Sequence, residues 1–438
     1  MNTEKSLTVA SDLKPKIEEQ RHIGQLSYMA MWLGDGFNIG NVTLGSSIVV
    51  AGVASMNLFQ TIVAAGLAIS MITVIFVLND HFGYYTGSPY VIQLQMTFGA
   101  KGGKLAGLLR GIPAIVWYGF QSWTGALAFN QITTILTGYN NVAVFFVLLL
   151  IIQTLLSMNG FRSIKTISVW ASLVMAVALI TTLIFLFSQE SNLFIDRMVA
   201  VKGSWGLTFW GFVVAFLGNY TAIFESAADY SRELKPGLSN KRRAVLYFIP
   251  IFTGYGLTLL TGALLAVVTG ISSPVHAMAH LFNNNLITIV VSAFIVLGTI
   301  LTNLVANIIP PTYVLNAWLN ISERTALVII AVLAGLSCPW LLVQDSSSIG
   351  LTIFIKIYSA FLGPMTAIIL NEYYLKRHQK VNVPQLYQDD QLSASLPPII
   401  ALFLGAALAL IWVNLSWPIG FAVSWLTLWV TKYNQQFD

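Results

Sequence analysis

The sequence predicts an all-α polytopic membrane protein with twelve spanning helices, and three observations carry that reading. Apolar residues make up 56% of the 438-residue chain and charged residues only 9%, against about 25% charged in an ordinary soluble domain. The apolar residues come in blocks long enough to cross a bilayer, which takes about 20 residues for a hydrocarbon core about 30 Å thick. The Lys and Arg residues gather in every second break between blocks, as the preference for positive charge on the cytoplasmic side requires.

The spans are expected at 26–50, 58–79, 104–135, 142–158, 164–188, 205–229, 243–270, 286–313, 324–342, 347–371, 394–413 and 415–431. Residues 1–25 carry Lys14, Lys16 and Arg21 without a short apolar core and cleavage site, so they read as a cytoplasmic tail rather than a signal peptide. Residues 26–190 hold spans 1 to 5 and residues 191–375 hold spans 6 to 10; residues 376–438 hold a cytoplasmic loop, spans 11 and 12 and a C-terminal tail. Both termini are then cytoplasmic, in a plasma membrane of the bacterial inner-membrane type. Lys101, Lys104 and Arg110 follow span 2, and Arg162 and Lys165 follow span 4. Arg232, Lys235, Lys241, Arg242 and Arg243 follow span 6, and Lys376, Arg377 and Lys380 follow span 10. Only Arg197 and Lys202 fall in a loop assigned outside, and Lys356 lies within a span. The basic balance, a net charge of +5, therefore reports orientation in the bilayer and gives no reason to expect nucleic acid as a partner.

Several chemistries are excluded at this level. Cys338 is the single cysteine, so neither an intramolecular disulfide nor a paired-Cys metal site is available. His22, His81, His276, His280 and His378 fall in tails or loops. Gly99-Ala-Lys-Gly-Gly-Lys104 lacks the spacing of a phosphate loop and the Ser or Thr that would place Mg²⁺; it reads as a cytoplasmic turn. No cofactor is expected, no enzymatic cluster of His, Asp and Glu falls among the spans, and any transport is driven by an ion gradient or is passive.

Two spans are interrupted. Span 1 contains Trp32-Leu-Gly-Asp-Gly-Phe-Asn-Ile-Gly-Asn41 and span 6 contains Leu217-Gly-Asn-Tyr-Thr-Ala-Ile-Phe-Glu-Ser226. Unpaired backbone in lipid survives only where it lines a cavity. Both breaks open a group of five spans, as in inverted-repeat transporters with the substrate between the halves; glycine-mediated helix packing is the plainer alternative. In span 3, Trp117 and Gln121 are four apart and share a helix face. An indole beside an amide suits a flat heterocycle, one stacking on the ring while the other meets its NH and C=O groups. In span 8, Asn303 and Asn307 share a face and Thr302 adds a hydroxyl. Asp35, Glu225 and Lys356 are ionisable residues in or near apolar spans, where such groups are expensive and point to function. Asp35 and Glu225 lie in the two broken helices, where a proton or a metal cation would bind, while Lys356 either snorkels or pairs with a carboxylate.

These residues carry a resemblance. Trp32-Leu-Gly, Trp117-Tyr-Gly-Phe-Gln121 with Gly125, Thr302-Asn-Leu-Val-Ala-Asn307, Asp229-Tyr-Ser-Arg232 and the exit of span 10 support it. That exit, Gly363-Pro364 followed by Tyr373-Tyr-Leu-Lys-Arg-His-Gln-Lys-Val-Asn-Val-Pro-Gln-Leu-Tyr387, is the most specific of them. From about residue 20 to 430 the chain resembles nucleobase–cation symporter family 1, and its hydantoin and allantoin branch more than its cytosine branch. The resemblance implies a LeuT-type five-plus-five inverted repeat with broken helices 1 and 6, two extra C-terminal helices and alternating access. It implies that Trp117 stacks on the substrate, that Gln121 and Asn307 bind it, and that Asn219, Tyr220 and Asn38 complete the site. Tyr220 stands where the family usually has Trp, and Asn219 where it commonly has Gly.

The resemblance also implies where a coupling cation would sit. A Na⁺ ion would take carbonyls of Gly34, Phe37 and Gly298 and the Thr302 hydroxyl, but Leu301 stands where a second hydroxyl is expected. A hard cation must replace its water with oxygens, so the lost ligand weakens a Na⁺ site. The carboxylates Asp35 and Glu225 then favour H⁺. The function expected is import of a nucleobase or related cyclic amide, such as allantoin, a hydantoin, uracil or a purine, coupled to H⁺ or Na⁺. An amine or amino-acid permease of the same fold is the first alternative; a channel or sensor is the second. The expected partners are the small heterocycle and the lipid bilayer, and a monomer is compatible with this reading.

Overall fold

The computed structural model describes residues 13–50, 53–158, 173, 176–188, 191–342, 347–387 and 396–433. The start of span 5 with Arg162 and Lys165, and the extreme ends of the chain, lie outside the described residues. The first span is broken as expected, into α1 (Gln25–Gly36) and α2 (Ile39–Ser46). A two-residue antiparallel hairpin, β1 (Val49–Val50) with β2 (Val53–Ala54), follows it. The span expected at 58–79 is α3 (Leu58–Thr86). Asn57 and Gln60 start it with reciprocal side-chain caps, which satisfy two of the backbone donors every helix start leaves open. Gly87, at φ 70°, ends it.

Span 3 lies within α4 (Tyr90–Thr137). Gly99, at φ 75° and ψ 171°, kinks α4 rather than opening a free turn, because only glycine takes that backbone without a steric cost. Next come α5 (Val142–Ser157), α6 (Ala176–Ser188) and the short α7 (Ser191–Phe194) with a π turn over Ile195–Val199. The second half runs through α8 (Leu207–Glu225), α9 (Ala227–Ser231), α10 (Asn240–Thr269), α11 (Pro274–Phe282) and α12 (Asn285–Thr302). A π turn at Asn303–Ile308 leads into α13 (Ile309–Leu319), α14 (Glu323–Leu336) and α15 (Ser347–Leu370). The chain closes with α16 (Val383–Leu386), α17 (Leu396–Ile411) and α18 (Ser416–Val430).

Among the described residues, six helices are each long and apolar enough to cross a membrane, or up to seven if the bent Ala176–Ser188 and Asn192–Val199 pair counts as one. The remaining expected spans fall on shorter pieces, on the broken pair α1–α2 or inside α4. The outward faces carry large exposed apolar side chains, among them Val74, Ile151, Phe252, Val332 and Phe403. A soluble surface does not tolerate so many; facing lipid tails, they are at home.

Packing places the breaks at the centre. α1 and α2 lie against α10, α3 against α8, α12 and α13 against α4, and α15 against α17 and α18. The α2–α10 contact is backbone to backbone, since a Cβ on Gly45 would meet the Leu259 carbonyl and one on Gly262 the Val42 carbonyl. Small residues at such crossings let helices approach where water supplies no driving force.

Candidate functional site

At the first break, Phe37 and Asn38 leave helical geometry, Asn38 reaching φ −92° and ψ 153°. Backbone groups freed inside a membrane need new partners, and neighbouring side chains supply them. The Asn38 carboxamide oxygen accepts from the Asn41 N–H at 2.9 Å, while its Nδ2 donates to the Asp35 carbonyl at 2.7 Å. Asn41 Nδ2 and the Thr258 hydroxyl each donate to the Gly36 carbonyl at 2.9 Å. Gly40 then leaves room for span 3, because a Cβ there would lie 2.8 Å from the Trp117 indole and 3.1 Å from Gln121 Nε2.

Four helical segments converge here. Gln121 Nε2 donates to Asn38 Oδ1 at 3.0 Å, and Asn219 Nδ2 from α8 donates to Asn41 Oδ1 at 2.8 Å. Trp117 Nε1 lies 3.4 Å from the Tyr358 hydroxyl of α15, which in turn lies 3.4 Å from the Asn219 carbonyl. Gln121 and Asn38 thus meet directly, Trp117 and Asn219 are linked through the Tyr358 hydroxyl, and Asn219 also reaches the first break through Asn41. Asn41 and Tyr358 join them without having been singled out in the sequence. Asn41 had a signal, three residues beyond a helix-capping Asn; Tyr358 had none, since its role depends on where α15 packs. The Gln121 carboxamide oxygen is buried without a hydrogen-bond partner. Such an atom costs roughly 1–3 kcal/mol, a debt that a ligand N–H settles.

Tyr220, Asn307 and Glu225 sit apart from this ring, and Asn219 reaches it from within α8. Asn219 and Tyr220 lie within continuous helix: the second break falls at Ser226, between α8 and α9, and not at Tyr220. There the Ser226 backbone turns to φ −91° and ψ 26°, and its hydroxyl donates to the Ile223 carbonyl at 3.3 Å. Tyr220 stacks obliquely on Tyr255, with centroids 4.7 Å apart. Its hydroxyl faces Asp35, outside ordinary hydrogen-bond geometry, and both Asp35 oxygens are buried without a partner. Asn307 donates to Asn303 at 2.8 Å, and Asn303 donates onward to Gln153 at 2.6 Å, Ser122 at 3.2 Å and the Tyr118 carbonyl at 3.3 Å. That amide chain ties span 8 to spans 3 and 4. Glu225 accepts from the Thr366 hydroxyl and, at 3.4 Å, from the Tyr90 hydroxyl.

Among the suggested Na⁺ ligands, Gly34, Gly298 and Leu301 are buried, and the Thr302 hydroxyl is buried without a partner. Phe37 packs against Leu179 and, with Asn38, lines a narrow cleft of about 40 Å³ bounded by Val42, Met278, Val291 and Ile295. Among the described residues Lys356 pairs with no carboxylate; its ammonium donates to Asn414 Oδ1 at 2.7 Å. Arg110 corrects the charge map. It is fully buried rather than in a cytoplasmic loop, because tertiary partners at the α8–α9 break and on span 8 receive its guanidinium. No cluster of three or more His, Cys, Asp or Glu able to hold a metal occurs among the described residues.

Residues 15–433 match the family model described as permease for cytosine/purines, uracil, thiamine, allantoin. The chain is 26% identical to a hydantoin permease of Microbacterium maritypicum over 84% of this chain and 76% of that protein. It is 23% identical to an allantoin permease of Bacillus subtilis over 95% of this chain and 91% of that one. In structure it is similar to Mhp1, a nucleobase-cation-symport-1 family transporter, in a closed conformation with bromovinylhydantoin bound. The TM-score is 0.86 and the identity 20%, covering 98% of this chain and 96% of that one. The inward-facing conformation of Mhp1 gives 0.84 at 21% identity, with the same coverage. The LeuT-type fold expected from the sequence is that of these neighbours, and the relatives are permeases rather than enzymes. The chain is an integral membrane transporter, and it belongs to the family of permeases for cytosine and purines, uracil, thiamine and allantoin.

Proposed function

We propose that this transporter imports a flat cyclic amide of the allantoin and hydantoin type by proton symport. Its twelve spans would form two inverted repeats, at 26–190 and 191–375, with spans 11 and 12 beyond them and both termini in the cytoplasm. The observation that carries the substrate reading is the buried, unpartnered Gln121 oxygen one helical turn from Trp117. A ring N–H would satisfy that oxygen while the ring stacks on the indole. Asn38, Asn41 and Asn219 offer further amides at the same level, and Tyr358 closes the ring of contacts. None of these six residues is charged, which favours a neutral cyclic amide over an amine or amino acid. The relatives named as hydantoin and allantoin permeases point the same way; uracil and purines fit the same contacts.

Proton coupling rests on Glu225 and Asp35, two fully buried carboxylates in the segments that break. One observation favours Na⁺ instead: the Thr302 hydroxyl is buried and unpartnered, with the Gly34, Phe37 and Gly298 carbonyls as its proposed companions. Leu301 weighs against that reading. Uptake of labelled allantoin, 5-benzylhydantoin, uracil and adenine into proteoliposomes decides between them. An inward proton gradient is expected to drive accumulation of at least one cyclic amide, and Glu225→Gln to abolish the gradient dependence. Uptake that rises steeply with Na⁺ at fixed pH, and survives Glu225→Gln and Asp35→Asn, overturns proton coupling.

A further inference from the structure

Span 8 contains a carbonyl that its own helix does not satisfy by the usual turns. The Ala306 oxygen would accept from residue 310 in an α turn and from residue 311 in a π turn, and both are proline, which has no N–H. Arg110, seven residues and about 10 Å below Trp117 along α4, fills the gap. Its Nη2 donates to the Ala306 carbonyl at 2.8 Å, and its Nε donates to Ser226 Oγ, at the α8–α9 break, at 3.2 Å. One guanidinium thus clamps the second break to the turn that holds Asn307. The third nitrogen, Nη1, is buried without a partner.

Among the described residues, no carboxylate lies within salt-bridge distance of this guanidinium. Three stand within electrostatic reach of it: Asp35 on α1, Glu225 on α8 and Asp229 on α9. Tyr90 on α4, Tyr230 on α9 and Tyr358 on α15 complete its titratable surroundings. Asp229 accepts from the Tyr90 N–H at 2.8 Å and also interacts with Arg232. On α3, Asp80 is paired with Arg243 at 3.0 Å. Glu225 adjoins Ser226 in the chain, and among the described residues its hydrogen-bond donors are the Thr366 and Tyr90 hydroxyls. An unpaired buried guanidinium is expensive and takes a carboxylate when one becomes charged nearby.

We infer that Arg110 is the coupling switch of this carrier, held on the Ala306 carbonyl and Ser226 while Glu225 carries a proton and drawn to Glu225 when that proton leaves. The inference rests on the proton-symport reading above. Moving to Glu225 releases the Ala306 carbonyl and unclamps the α8–α9 break from span 8. Proton release and opening of the segment below the substrate become one event. Arg110 is a positioning residue here, since it touches no substrate atom.

The test uses purified full-length protein in proteoliposomes, with labelled allantoin as probe, or whichever panel compound the wild type accumulates. Arg110→Gln is expected to keep counterflow exchange, which needs no deprotonation. It should lose at least tenfold in gradient-driven accumulation, and its pH profile should flatten. Pro310→Ala changes no charge but gives the Ala306 carbonyl a helical donor. The freed guanidinium then favours ionised Glu225, so half-maximal uptake should move to more acidic pH by about one unit. Arg110→Lys, unable to reach both anchors, should fall between wild type and Arg110→Gln; it serves as the readout if Arg110→Gln does not fold. A wild type indifferent to the proton gradient overturns the symport reading itself. A proton-driven wild type, alongside Pro310→Ala and Arg110→Lys with unchanged pH profiles, overturns the switch alone.

Discussion

Trp117 and Gln121 were legible because a helix places residues four apart on one face, and that is local information. The same logic did not find Tyr358, which reaches Trp117 only through the packing of α15. It also misplaced Arg110, because a cation beside a glycine-rich stretch reads as a loop until its tertiary partners are known. Asn303 and Asn307 look alike in sequence, yet Asn303 spends its amide on Gln153, Ser122 and the Tyr118 carbonyl. If Trp117 stacks on the substrate, Trp117→Ala removes the stacking and part of the ring's apolar contact. Binding of an identified cyclic amide should weaken by about tenfold or more, about 1.4 kcal/mol. Isothermal titration in detergent checks it, and an unchanged affinity removes Trp117 from the site. Asn303→Ala should instead lower thermal stability by roughly 1–3 kcal/mol, because it strands a buried amide network.

The elements themselves were read from hydropathy and charge, and both breaks were anticipated from polar residues at membrane depth. What hydropathy does not encode is where a ladder fails. The second break moved to Ser226, and the π turn at Asn303–Ile308 has its cause downstream, in Pro310 and Pro311. Nor does it encode how closely two helices approach. The broken first span is held by backbone contact between α2 and α10, where Gly262 meets the Val42 carbonyl. Gly262→Val must push these helices apart, and overpacking of this kind costs about 1–3 kcal/mol. Gly256→Val, on the same helix, is the control: a Cβ there meets nothing nearer than Ile69 Cδ1 at 3.8 Å, so it should stay within about 0.5 kcal/mol of wild type. Thermal unfolding of both variants in detergent measures the difference. Equal stability for the two would show that the crossing tolerates a wider spacing.

A carrier of this fold works by exposing one site to either side in turn, so what seals one face bears on the other. The segment after Leu13 lies across the face that the charge map assigns to the cytoplasm. The Lys16 N–H bonds to the Gly87 carbonyl at 2.9 Å, and its ammonium pairs with Glu233 at 2.5 Å. Arg232 donates to the Lys14 carbonyl at 2.8 Å, Tyr387 to the Leu13 carbonyl at 2.9 Å, and Arg21 to the Tyr84 carbonyl at 2.6 Å. Ile23 pairs with Leu234 as an isolated parallel bridge. This strap joins the ends of α3 and α9 to the stretch beyond span 10. On the other side the cleft lined by Val291 is narrow. If the strap holds the cytoplasmic face shut, weakening it should bias the carrier inward and close the outer cleft further. Lys16→Glu sets a negative charge against Glu233, which is buried. A change of about 1 kcal/mol corresponds to roughly a fivefold shift in population. In a Cys338→Ser background carrying Val291→Cys, Lys16→Glu should slow labelling by an external maleimide by about that factor. Adding Glu233→Lys recreates the pair with its charges exchanged and should restore the rate. Equal labelling in all three proteins would mean that the strap only decorates the cytoplasmic face, and that closure depends on the helices beneath it.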